Sequence, residues 1–266
     1  MAYTTIDNPE LYFQTKLYTG NAGTLAVTLD GDTDMQPDLV WGKGRAVATP
    51  NALFDSVRAA TKYLEADRTV AEATVANSLT SFDSDGFTLG ADTSTVINYS
   101  QLMVAWCWKA GTSFTNDASS TGIGTIDSSG SVSDTAGFSI VSYTGTGSAG
   151  TIKHGLSTAP GVVLVKSRGG TYGWGMYHHK NTSAPATDYL SINNSDATVD
   201  DSVFWNDTAP TSSVFSLGGT DAINKASTTH IAYIFSERKG YSKFGSYIGG
   251  SDPFVYLGFK PAFVMF

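Results

Sequence analysis

Through most of the chain, apolar and polar residues alternate with a period of two, in short runs broken by Gly, Asp, Ser and Thr. Thr24-Leu25-Ala26-Val27-Thr28-Leu29 ends in Asp30-Gly31-Asp32-Thr33-Asp34, the pattern of a half-buried strand entering a turn. Phe87-Thr88-Leu89-Gly90 and Val214-Phe215-Ser216-Leu217-Gly218 read as matching short strands. The first follows Asp83-Ser84-Asp85-Gly86, a tight-turn sequence because Asp and Gly tolerate positive φ. Residues 138–143 and 161–166 add two more strands, and Pro37 and Pro160 fall at strand starts, where the missing amide need not join a ladder. One stretch has helical spacing: after Thr49-Pro50, Leu53, Val57 and Leu64 share a face.

The strands recur as a set. Gln36-Pro37-Asp38-Leu39-Val40-Trp41 is echoed by Ala159-Pro160-Gly161-Val162-Val163-Leu164 and again by Lys260-Pro261-Ala262-Phe263-Val264-Met265. Upstream of each proline lies Leu17-Tyr18-Thr19-Gly20, Ser142-Tyr143-Thr144-Gly145 or Ser246-Tyr247-Ile248-Gly249. Met103-Val104-Ala105-Trp106-Cys107-Trp108-Lys109 matches His230-Ile231-Ala232-Tyr233-Ile234-Phe235-Ser236. The period is that of a domain, not of a solenoid repeat. Lys62-Tyr63-Leu64-Glu65 also aligns with the strand-like Asp188-Tyr189-Leu190-Ser191-Ile192, so at most a short helix is expected at 51–64.

The expected architecture is all-β: tandem antiparallel β-sandwich domains, jelly-roll or lectin-like, with little helix. Residues 1–13 form an amino-terminal docking segment, 14–111 the first repeat, and 112–136 a Ser/Thr/Gly-rich linker. Residues 137–250 form the second repeat and 251–266 the start of a truncated third, so a longer protein is expected.

Composition narrows the function. A net charge of −8, with basic residues scattered singly, gives no footprint for nucleic acid. No stretch is long and apolar enough to span a bilayer, and Met1 to Asp7 lack a signal peptide's basic and apolar regions. The single cysteine, Cys107, excludes an internal disulfide and reads as a buried thiol.

Candidate chemistry is sparse. Asp30, Asp32 and Asp34 have the alternate spacing of a calcium loop, but Met35 and Trp41 stand where its glycine and glutamate belong. Asp83 and Asp85 have no counterpart in Thr211-Ser212-Ser213, and adjacent His178 and His179 would face opposite sides of a strand. Glu10, Glu65, Glu72 and Glu237 match no acid in another copy, and Gly145 to Gly150 fit a dinucleotide fingerprint without the helix it requires. No catalytic set, cofactor or metal is expected. Tyr172, Trp174, Tyr177 and His178, set among glycines, could form a flat stacking face for sugar rings or a partner, against the plainer reading of an aromatic strand entering the core. Leu11, Tyr12 and Phe13 precede the first repeat and could anchor the chain to a larger particle.

Phe82-Asp83-Ser84-Asp85-Gly86-Phe87-Thr88-Leu89-Gly90, Val104 to Gly111, Gly240-Tyr241-Ser242-Lys243-Phe244-Gly245-Ser246-Tyr247 and Gly258 to Met265 resemble a repeated β domain of uncharacterised function in structural proteins of marine bacteriophages. The resemblance implies a non-enzymatic virion component made in the host cytoplasm: a tail fibre or tail-associated protein that contacts other virion proteins and forms a homo-oligomer, taken as a trimer. A head-decorating protein and a module recognising host surface polysaccharide are the alternatives.

Overall fold

The computed structural model describes residues 4–91, 97–250 and 254–266, and its regular elements are almost all strands. The first half contains β1 (Phe13–Thr19), β2 (Leu25–Thr28), β3 (Leu39–Gly44), β4 (Ala52–Asp55), β5 (Lys62–Glu65), β6 (Ala73–Thr74), β7 (Leu79–Asp83), β8 (Gly86–Leu89) and β9 (Leu102–Trp108). The second opens with β10 (Thr112–Asn116), α1 (Ala118–Thr121), β11 (Ser128–Ser133), β12 (Phe138–Thr144), β13 (Gly150–Lys153) and β14 (Val162–Ser167). It continues with β15 (Gly175–His178), β16 (Asp188–Tyr189), β17 (Val199–Asp200), α2 (Ser202–Trp205), β18 (Val214–Leu217), α3 (Asp221–Asn224) and β19 (Thr229–Phe235).

The halves share a strand order. One six-stranded sheet runs β1-β9-β3-β4-β5-β6, the other β10-β11-β12-β19-β14-β15, so β9 lies between β1 and β3 as β19 lies between β12 and β14. The ladders around β9 and β19 are all antiparallel. A smaller sheet, β2-β8-β7 or β13-β18, covers one face of each large one. Val27, Phe87 and Leu89 meet Val40, Phe54, Ala105 and Cys107 in the first sandwich. Ile152, Phe215 and Leu217 meet Val141, Val163, Ala232 and Ile234 in the second. Cys107 is fully buried, and that burial holds its thiol well above the ordinary range.

One expectation about the elements needs correction. Residues 112–136, read as a linker, contain β10, α1 and β11, which extend the second large sheet beyond β12. Their polar composition is no obstacle, because a ladder is main-chain bonding and β12 supplies the partner. The helical spacing at 51–64 resolves into β4 and β5, as the second copy suggested. Ala59 and Thr61, at φ of 77° and 70°, turn the chain in a way no right-handed helix allows.

The halves are also not separate beads. Leu39, Leu53 and Leu64, on the far face of the first large sheet, pack against Phe138, Val162, Leu164, Ile231 and Tyr233 of the second, forming a third apolar cluster. Burying those three leucines alone contributes roughly 1.5–3 kcal/mol each. This facing explains why β14 is buried at all six positions: it is covered on both sides. Charge crosses the same seam. Arg58 bonds to Asp55, donates to the Leu53 carbonyl at 2.8 Å and reaches the Tyr233 hydroxyl at 3.2 Å, while that hydroxyl donates to Asp55 at 2.6 Å. Burial disfavours the Arg58 charge, but its neighbours together, Asp55 foremost and Glu72 with it, outweigh burial and hold the guanidinium protonated. Arg168 grips Glu72 through two bonds of 2.8 and 2.9 Å, and the Trp174 indole donates to the Glu65 carbonyl at 2.9 Å.

Candidate functional site

The aromatic segment is turned largely inward. Trp174 is 1% exposed and stacks on Tyr233 inside the seam, and Tyr177 is 3% exposed, edge-on to Trp205 in the second sandwich. β15 alternates its residues between the two buried layers, so the glycines serve close packing: a Cβ on Gly175 would lie 2.7 Å from Ile223. Tyr172 stays nearer the surface, where its hydroxyl donates to Asp221 at 3.0 Å and accepts from Lys225 at 2.8 Å. His178 is half-buried beside His179, and burial lowers its pKa. These four residues therefore form no common flat face. An open cleft of about 320 Å³ lies alongside and is lined by Thr69, Trp174, Tyr189, Asn193, Asp196 and Phe204.

The carboxylates singled out in the sequence hold turns. Asp83 accepts from Ser81 and Thr88, each at 2.7 Å, Asp85 accepts from the Met35 amide at 3.2 Å, and Asp30 pairs with Lys16. Among the described residues, no three His, Cys, Asp or Glu side chains gather as a metal site would, and no helix is long and apolar enough to cross a membrane. Leu11, Tyr12 and Phe13 are half-buried, and two of them are engaged by this chain: Tyr12 meets Tyr241 edge-on, and Phe13 packs on Trp108 and Phe263. Residues 1–3 of the docking segment lie outside the described residues.

What remains open is one sheet face and an arm. On the first large sheet, Leu17 and Leu102 are 53% and 49% exposed, beyond the reach of the second sheet. Residues 254–266 contain no strand. Phe263 lies on Phe13, Trp106 and Trp108 at 5.3–6.0 Å between ring centres. Its neighbours are turned to solvent: Phe254 at 86%, Tyr256 at 72% and Phe266 at 98% exposure.

A repeated latch, absent from the sequence expectations, closes both sandwiches in the same way. Tyr18 and Tyr143 each donate at 2.6 Å to the carbonyl of an isoleucine, Ile97 or Ile223. The next residue is a buried asparagine in both copies. Asn98 donates to the Gly23 and Gly90 carbonyls at 2.6 and 2.7 Å and accepts from the Asn21 amide at 3.0 Å. Asn224 donates to Ser148 and Gly218, both at 2.7 Å, and accepts from Thr146 at 2.9 Å. Gly20 and Gly145 admit this loop: a Cβ there would stand 1.8 Å from the Tyr99 carbonyl oxygen or 2.4 Å from that of Lys225. The available signal was the Ile-Asn pair shortly before each last strand, blurred by unequal loop lengths.

The family profile described as "Domain of unknown function (DUF7483)" matches residues 8–266. Comparison with curated proteins and with solved structures finds no match.

Proposed function

Because the chain belongs to the DUF7483 family, we propose its role from its surfaces: a non-enzymatic building block of a larger protein assembly. The resemblance to marine phage structural proteins makes that assembly a virion, with the chain as a tail fibre or tail-associated component. The observation that carries the reading is the apolar surface left open beside a well-filled interior. Leu17, Leu102, Ile248, Phe254, Tyr256 and Phe266 expose much of their area on one sheet face and the adjoining arm. Large apolar side chains left this open are the kind of surface that a partner covers in an assembly. Two sandwiches fused through a buried seam give such a component a fixed shape, and symmetric self-association would cover the open face. Glycan recognition is the lesser reading, because Trp174 and Tyr177, the rings that would stack on a sugar, lie in the interior.

Light scattering on the purified chain tests the proposal. A multiple of 28.1 kDa is expected, with Leu17→Ser/Leu102→Ser shifting it toward one chain. A single chain at every concentration, together with its absence from purified particles, would overturn the reading. Its copy number in particles separates a tail position, at a few copies, from head decoration, at icosahedral numbers.

A further inference from the structure

We propose that β1 is a docking strand for β1 of a second copy of this chain, the two running antiparallel about a two-fold axis at Leu17. β1 ends its sheet, with β9 on its only paired side. The Lys109 amide donates to the Tyr12 carbonyl at 2.9 Å, and the Gly20 amide to the Gln101 carbonyl at 3.0 Å. An antiparallel ladder alternates, so the even-numbered residues between them bond to β9, while Phe13, Thr15, Leu17 and Thr19 turn their N–H and C=O groups outward. Among the described residues no main-chain group meets them there.

The second copy shows what such an edge holds. Aligned on Tyr18 and Tyr143, residues Phe13, Thr15 and Leu17 correspond to Phe138, Ile140 and Ser142 of β12. Those lie opposite Ser133, Ser131 and Ser129 of β11. The same backbone groups are thus satisfied by a strand in one sandwich and left open in the other. β1 also lacks the devices that keep an edge unpaired. It contains no proline or glycine, and its register with β9 is unbroken from Phe13 to Thr19. Its one charge, Lys16, is turned back onto Asp30 of its own chain.

The occupant follows from the strand's own sequence. Thr15-Lys16-Leu17-Tyr18-Thr19 places a threonine at equal spacing on each side of Leu17. An antiparallel copy centred there sets Leu17 against Leu17 and Thr15 against Thr19, and each outward N–H finds an outward C=O. A two-fold contact requires such self-complementarity, and threonine pairs across a ladder are favourable. A centre one residue earlier would oppose the two Lys16 side chains, a repulsive pairing. Leu17, more than half exposed in the single chain, is then covered by its twin, and the two six-stranded sheets join edge to edge. This inference rests on the assembly reading, and it joins chains in pairs where the resemblance implied three.

Cysteine trapping on the whole chain tests it, because the one native cysteine, Cys107, is fully buried. Opposed Cα atoms about 5.5 Å apart suit a disulfide, so Leu17→Cys should cross-link under mild oxidation to a reducible dimer. Thr15→Cys and Thr19→Cys should each cross-link poorly alone and well when mixed. Thr15→Lys/Thr19→Lys should abolish the dimer while circular dichroism shows the chain still folded, since both side chains are exposed and each new lysine faces another only across the pair. In hydrogen exchange the Leu17 amide should be slower by about tenfold or more in the parent protein than in that variant, with Lys16 and Tyr18 unchanged. Equal exchange at Leu17 in the two proteins, or cross-linking of Leu17→Cys no faster than that of exposed Val203→Cys, would overturn the proposal. Association that persists in Thr15→Lys/Thr19→Lys by light scattering would sink the β1 pairing and leave the assembly reading. A trapped Leu17→Cys dimer of a chain absent from purified particles would sink the assembly reading and leave the pairing.

Discussion

At the scale of single residues, the two latch asparagines stand out. Each is fully buried and makes three bonds to main chain, pinning two separate loops at once. Asn98→Ala or Asn224→Ala should therefore cost roughly 2–4 kcal/mol in urea unfolding. A loss under about 1 kcal/mol would mean that the freed carbonyls and amide find other partners. The sequence made the glycines of this motif legible through Tyr18-Thr19-Gly20 and Tyr143-Thr144-Gly145, but not their purpose, because the loop that crowds them lies some 80 positions away in both copies. Trp174 and Tyr177 were uncertain for a related reason. Glycine neighbours fit an exposed platform and a tightly packed strand equally well, and the facing sheet decides between them.

Among the elements, β19 shows how a copy diverges without losing its place. Its His230 occupies the position of Met103, stacked on Tyr143 with ring centres 5.2 Å apart and opposite Ser167. Burial pushes its pKa from 6.5 to about 4, with the Thr228 carbonyl and Asp221 only partly opposing the shift and nearby Lys166 adding to it. The unfolded chain then binds a proton that the folded chain refuses between those values. Stability should be level above pH 6.5 and fall as the pH drops toward 4, by up to roughly 3 kcal/mol from this residue. His230→Met should flatten much of that slope in thermal melts between pH 7 and 5. His154 and His178, also lowered by burial, supply the remainder, while the lowered pKa of Glu72 keeps its contribution for more acidic conditions. An identical slope in the variant would show that the imidazole is hydrated. Apolar strands such as β3, β12 and β14 were readable from their runs. β10 and β11 were not, since hydroxyl and glycine residues join a ladder without leaving an apolar signature.

For the whole molecule, the seam matters most. The repeat was plain in the sequence, and so was the sandwich class. That each half covers the other was not legible, because the sequence reads as separate domains joined by a linker and the facing pairs lie far apart along the chain. Arg58 ties this arrangement together, being 3% exposed and bonded to residues of both halves. Arg58→Ala should cost about 3–5 kcal/mol, because it strands the buried Asp55 carboxylate. In calorimetry, one unfolding transition should separate into two as the halves lose their common layer. A single undivided transition in the variant would place the coupling in the leucines alone. A tether between the sandwiches would let them swing, whereas a face-to-face joint with Trp174 keyed into the Glu65 carbonyl cannot bend without prising its layers apart. A pull on one half is thus delivered to the other with little slack, as through a plank and not a chain of links.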